Sequence, residues 1–231
     1  MMGNKQHHAS NKFQGLCNIF QLVWKRRRVR KKRHVLISGT GRSGTTFLMQ
    51  LFTALGFDTG FDIQRDRPHS ICNAGLEWDL RDPNAPFIVK SPWMCEYLEA
   101  VLSKGDLFIE HLIVPVRDLF SAAESRRDVM RRGKIAGLKE GPNDLPGGLW
   151  GTSEPENQER VLTERFYKLL QTATRFDIPL SFLDFPRIVR EPEYLRKKLM
   201  PIFGRRRLGK KRFNRAFSLV SRPELVHNFK P

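Results

Sequence analysis

Between residues 34 and 55 the chain reads HVLISGTGRSGTTFLMQLFTAL, and no other stretch constrains its fold so tightly. Two apolar runs flank a loop with three glycines in six residues. The first run, 34–38, reads as a buried strand that ends at glycine. The second, 45–55, puts Phe47, Leu48, Leu51, Phe52 and Leu55 on one face at helical spacing, and Gly56 stops it. A strand, a tight loop and a helix N-terminus in that order make an anion site. The unpaired N–H groups of the first helical turn point at the ligand, and the helix dipole favours negative charge there. Gly39, Gly41 and Gly44 permit the turns, and the hydroxyls of Ser43, Thr45 and Thr46 add donors.

One position limits what that anion can be. A loop that cradles a nucleoside triphosphate reads GxxxxGK[ST], with its lysine on the β- and γ-phosphates. Residues 39–46 read GTGRSGTT, so Thr45 stands at the lysine position and Arg42 is the loop's cation. Such a loop suits one phosphate-like group, with a cation beside a bond that is to be broken. It is poorly equipped for a triphosphate with magnesium.

The remaining pattern alternates. Residues 87–90 and 111–116 read as strands, each followed by a helix, at 94–102 and from about 119 to 131. Residues 133–155, rich in glycine and proline, read as a long loop of the kind that often carries function. A helix at 158–175, a strand at 179–183 and a helix at 193–200, ended by Pro201, complete the reading. The expected fold is α/β: a P-loop-like three-layer arrangement, with a central parallel sheet and helices on both faces. Residues 34–231 form the domain and 1–33 a basic N-terminal extension; no internal repeat or low-complexity linker interrupts them.

The net charge of +17 first points to nucleic acid, but its distribution argues otherwise. Residues 25–33 contribute +8 and residues 205–215 contribute +7 with no acid in either, leaving about +2 elsewhere. Three scattered cysteines, Cys17, Cys72 and Cys95, lack metal-ligand spacing and suit a reducing compartment, so a cytoplasmic protein is expected. The apolar stretch 13–24 is too short for a membrane span and precedes its basic cluster, the reverse of a signal peptide. Residues 13–33 read either as a peripheral anchor on anionic lipid or, as charge runs usually are, as a solvated arm.

At the loop the chain resembles the sulfotransferases that use PAPS (3′-phosphoadenosine 5′-phosphosulfate). GTGRSGTTFL is similar to their 5′-phosphosulfate loop, in which lysine or arginine precedes SGTT or GGT. LIVPVRDLFSAAESRR, residues 112–127, resembles their 3′-phosphate motif, with Arg117 at a strand end and Ser125 eight residues on. IVKSP, residues 88–92, resembles the segment that places a lysine near the transferred group, and 183–204 resembles a later strand–helix unit. RRRLGKKRF, residues 205–213, does not align with the family's RKG loop.

The resemblance implies sulfuryl transfer from PAPS to a hydroxyl or amine, leaving adenosine 3′,5′-bisphosphate and needing no metal. Residues Gly39, Gly41, Arg42, Ser43, Gly44, Thr45 and Thr46 would hold the 5′-phosphosulfate, and Arg117 and Ser125 the 3′-phosphate. Arg42 and Lys90 would meet the developing charge. The histidine that some members use as base is absent from KSPWMCEY; Glu77, in NAGLEWD, is the best-placed carboxylate, with Asp79 and His69 behind it. Glu77 suits base work if buried beside Trp78, and equally suits a cap or an ion pair. The acceptor, a small molecule, carbohydrate or lipid, is expected under residues 57–86 and 133–155.

Two other readings compete. A P-loop kinase or ATPase would need a magnesium ligand at a strand end, where Asp118 stands. A nucleic-acid module would need stacking aromatics near its basic patches, and only Trp24, Phe213 and Phe217 are near.

Overall fold

The computed structural model describes residues 31–138, 145–204, 208–227 and 229. The apolar stretch 13–24, most of the basic run 25–33 and the arginines at 205–207 lie outside the described residues.

Four strands form one all-parallel sheet in the order β2-β1-β3-β4. They are β1 (Lys32–Ile37), β2 (Ile88–Lys90), β3 (Leu107–Val116) and β4 (Leu180–Asp184). Six helices flank them: α1 (Thr45–Ala54), α2 (Met94–Leu102), α3 (Leu119–Ile135), α4 (Gln158–Arg175), α5 (Pro192–Phe203) and α6 (Lys210–Val220). Because strand side chains alternate, each strand feeds two layers. Val35, Ile37, Ile88 and Ile113 point into one core with α1, α5 and α6. Leu36, Val89, Leu112 and Val114 point into another with α2, α3 and α4. The expected α/β architecture with helices on both faces is what the chain adopts. A parallel sheet covered on both faces needs near-continuous apolar strands, which is why HVLI and HLIVPV contain almost no alternation.

The strand order places the site. From β1 the chain passes to β2 on one side, then returns to β3 on the other, with registers Ile37↔Lys90 and Ile37↔Ile113. Where strand order reverses, a crevice opens at the carboxyl ends of the strands. The residues 38–44, Lys90 and Arg117 all lie at those ends.

Four elements differ from the sequence reading. Strand β3 begins at Leu107, with Glu110 only partly buried, rather than at 111. Helix α5 continues through Pro201, which lacks the N–H that would bond back to residue 197; the loss falls in the exposed last turn, where water reaches the freed carbonyl. Helix α6 falls inside the stretch read only as a basic patch: Phe213, Ala216, Phe217 and Val220 are buried, with Phe217 edge-on to Phe47 at 5.8 Å. Strand β1 begins at Lys32, whose Nζ donates to the Pro83 carbonyl at 2.5 Å, while Arg33 pairs with Glu110 at 2.6 Å. Of two deletions, one ending at residue 31 and one at residue 33, the second is therefore expected to melt lower by roughly 2–4 °C. Equal midpoints would mean that the first two residues of β1 contribute nothing.

Candidate functional site

The loop leaves β1 between two neighbouring strands. Ser38 Oγ donates to the Ser91 carbonyl at 2.8 Å, which ties the loop's start to the end of β2. Gly44 precedes α1 at φ 86°, where a Cβ would stand 2.9 Å from the Phe185 ring. Gly41, at φ 67°, would bring a Cβ within 2.6 Å of Arg126 Nη2. Arg42 shares the left-handed region at φ 53° without being glycine, so the loop holds it there against its own preference. No side chain caps α1 and no acid occupies its first turn, which leaves its N-terminal amides to a ligand. Thr45 and Thr46 line the resulting cleft. Gly39 packs towards the Pro115 carbonyl, and the Ser43 hydroxyl is wholly buried with no partner among the described residues.

Lys90 ends β2, and its side chain is only 2% exposed. Its ammonium donates to Thr46 Oγ1 at 2.9 Å, the Gly75 carbonyl at 2.5 Å and Glu77 Oε1 at 2.7 Å. An ammonium has three protons, so all are engaged. A cation thus reaches the first turn of α1 from the adjacent strand, although the loop lacks its lysine. Burial pushes the Lys90 pKa down; Glu77 opposes this and Arg42 adds to it. Glu77 is an ion-pair partner here, three-quarters buried, and the structure brings it to Lys90 rather than leaving it a solitary carboxylate. Asp79 pairs with Arg81, and neither Asp79 nor His69 lines the cleft.

Arg42 and the 3′-phosphate candidates converge, but not as independent groups. Arg42 Nε donates to Ser125 Oγ at 3.0 Å and Nη1 to the Cys72 carbonyl at 2.5 Å. Arg117 Nη1 donates to the Arg42 carbonyl at 3.0 Å, and Nη2 to the His227 carbonyl. Ser125 is buried on α3 and serves Arg42 directly.

Sequence reasoning missed Arg126. It is 4% exposed, bridges the Gly148 carbonyl at 2.6 Å and the Thr40 carbonyl at 2.7 Å, and lies over the Trp150 ring at 5.4 Å. It thereby fastens the glycine-rich stretch 145–150 to the loop at 39–44. The signal was present: Ala122, Arg126, Val129 and Gly133 fall on the buried face of α3 at helical spacing. Burial pushes Arg126 down to about 9 and Arg42 to about 10, so both remain cations at neutral pH.

These groups line a cavity of about 570 Å³. Its described lining holds six cationic side chains, Arg42, Arg67, Lys90, Arg117, Arg126 and Arg222, against the carboxylates of Asp66 and Glu77. Lys90 and Arg126 are buried and Arg42 and Arg117 partly so, whereas Arg67 and Arg222 are exposed; buried cations are costly unless an anion compensates them. Asp118 is not among the lining groups; its Oδ1 accepts from Ser121 N at 2.8 Å as the cap of α3. Among the described residues, no cluster of three or more His, Cys, Asp or Glu side chains is placed to hold a metal. No described helix is long and apolar enough to cross a membrane.

Fold and cleft together define an α/β protein with a parallel sheet and a crevice at its strand ends whose described lining carries more cationic than anionic side chains. Comparison with known proteins returns no matching family model, no matching curated relative and no matching solved structure.

Proposed function

We propose that this chain is a sulfotransferase that moves a sulfuryl group from PAPS to a hydroxyl or amine acceptor. The observation that carries the reading is the cation excess of the cleft, gathered around a glycine loop whose lysine is replaced by Thr45. A donor with a 5′-phosphosulfate and a 3′-phosphate brings about four negative charges, close to that excess. The free amides of α1, with Thr45 and Thr46, suit the 5′-phosphate. Lys90 and Arg42 stand where charge would grow on the bridging oxygen as the sulfur–oxygen bond breaks. A new bond from sulfur to the acceptor oxygen or nitrogen forms as the acceptor loses its proton. Glu77 is the carboxylate at hand for that proton, provided Lys90 exchanges it for a donor oxygen. The exchange would free the base and engage the cation in a single movement.

The kinase reading is weaker, because Asp118 caps a helix and Thr45 occupies the lysine position. The nucleic-acid reading loses two of its three candidate stacking groups, since Phe213 and Phe217 are core residues; Trp24 lies outside the described residues. The test is transfer of ³⁵S from labelled PAPS to pooled sugar, phenol and lipid acceptors in excess EDTA. Labelled product is expected with chelator present; an absolute requirement for magnesium would favour the kinase reading.

A further inference from the structure

The guanidinium best placed for a 3′-phosphate is already engaged by the chain itself. Arg117 Nη2 donates to the His227 carbonyl, and Ser121 Oγ, one helical turn before Ser125, donates to the Phe229 carbonyl at 3.2 Å. The Arg117 guanidinium lies between two rings, 5.2 Å from that of Phe185 and 5.8 Å from that of Phe229. The same segment supplies Arg222, Leu225, Val226 and His227 to the cleft wall. One main-chain oxygen thus sits on the arginine proposed to receive phosphate oxygens, and a second ties the same segment to Ser121 of α3.

From these contacts we infer that residues 221–227 and 229 form a strap that competes internally with an anionic ligand for Arg117. The ligand class is a phosphomonoester or another compact polyanion. The competition is unequal by design. Both bonds have a charged donor, but a carbonyl oxygen carries only a partial charge, whereas a phosphate carries a full one and can take the guanidinium fork in two parallel bonds. The strap is also lightly held. Its short 3₁₀ turn, Pro223–Leu225, buries no residue, and Leu225 is 48% exposed. It is fixed at Ser221, whose Oγ donates to the Val189 carbonyl at 2.6 Å, and by Val226, which packs partly buried against the core. Val220, just before it, is the last fully buried core residue. Segments with few buried contacts open at low cost. A ligand must then displace the strap, so its apparent affinity is reduced by the fraction of molecules in which the strap is closed.

The identity of the anion rests on the proposed donor; the strap itself does not. Adenosine 3′,5′-bisphosphate and inorganic pyrophosphate are titrated by calorimetry into the full chain and into a variant lacking residues 223–231, which keeps Arg222 of the cleft. Removing the bond from Arg117 to the His227 carbonyl from the competition is expected to tighten both probes by roughly tenfold. If pyrophosphate tightens while the bisphosphate binds neither chain, the strap stands and the donor reading falls. If neither probe binds the variant more tightly, the strap is not a competitor. A second measurement avoids truncation. In the full chain, amide hydrogen exchange at residues 225–227 and 229 is expected to quicken when either probe saturates the cleft. Slowed or unchanged exchange would show that the segment helps build the site, and would overturn the inference.

Discussion

Replacing Arg42 with alanine is expected to lower sulfuryl transfer by about 100- to 1000-fold while weakening donor binding by less than about tenfold. Its guanidinium is partly buried, spends one donor on Ser125 and another on the Cys72 carbonyl, and keeps others for the cleft. On the proposed reading, a charge fixed in a partly desolvated site acts most strongly where new charge appears, which would be the bridging oxygen in the transition state. Donor binding would have other holders, namely the α1 amides, Thr45, Thr46 and Arg117. Because alanine also occupies a left-handed backbone position, a melt of the variant should accompany the kinetics. Steady-state turnover and donor titration separate the two roles. Unchanged turnover with lost donor affinity would reduce Arg42 to a ground-state ligand.

The strand–loop–helix unit was legible because every physical requirement of it is local: an apolar strand, glycines at forced turns, and an apolar stripe on α1. Helix α4 was read to the residue for the same reason. Helix α6 was not, because its basic residues masked an apolar stripe, Phe213–Ala216–Phe217–Val220, that the 3.6-residue period already contained. Pro201 reads as a terminator because proline removes a helical hydrogen bond, yet in the last turn of α5 a single bond is lost and the helix runs two residues further. Within the site, Arg42, Thr45 and Thr46 stand out from the loop pattern, and Lys90, Glu77, Arg117 and Ser125 through the resemblance. Their mutual contacts were not visible. That Ser125 serves Arg42, that Lys90 holds Glu77, and that the His227 carbonyl covers Arg117 depend on pairs 83, 13 and 110 residues apart. No local pattern encodes such pairs. The strap in particular has a bland sequence, SRPELVHNF, and acquires meaning only from where it lands.

The second large effect concerns the 3′-phosphate, which separates a PAPS enzyme from enzymes that bind ATP or AMP. Adenosine 3′,5′-bisphosphate is expected to bind far more tightly than AMP, since only the former gives Arg117 a phosphate in exchange for the His227 carbonyl. A charge-assisted bond of this kind is worth about 1.5–3 kcal/mol, roughly ten- to a hundredfold in affinity. Arg117→Ala should remove most of that difference while leaving AMP binding nearly unchanged. Thermal melts of the full chain at equal ligand concentrations read the contrast directly. A ligand at about one hundred times its dissociation constant adds about 2.7 kcal/mol of stability, a shift of several degrees for a domain of this size. The account predicts a large shift with the bisphosphate and a distinctly smaller one with AMP; equal shifts from the two would contradict it.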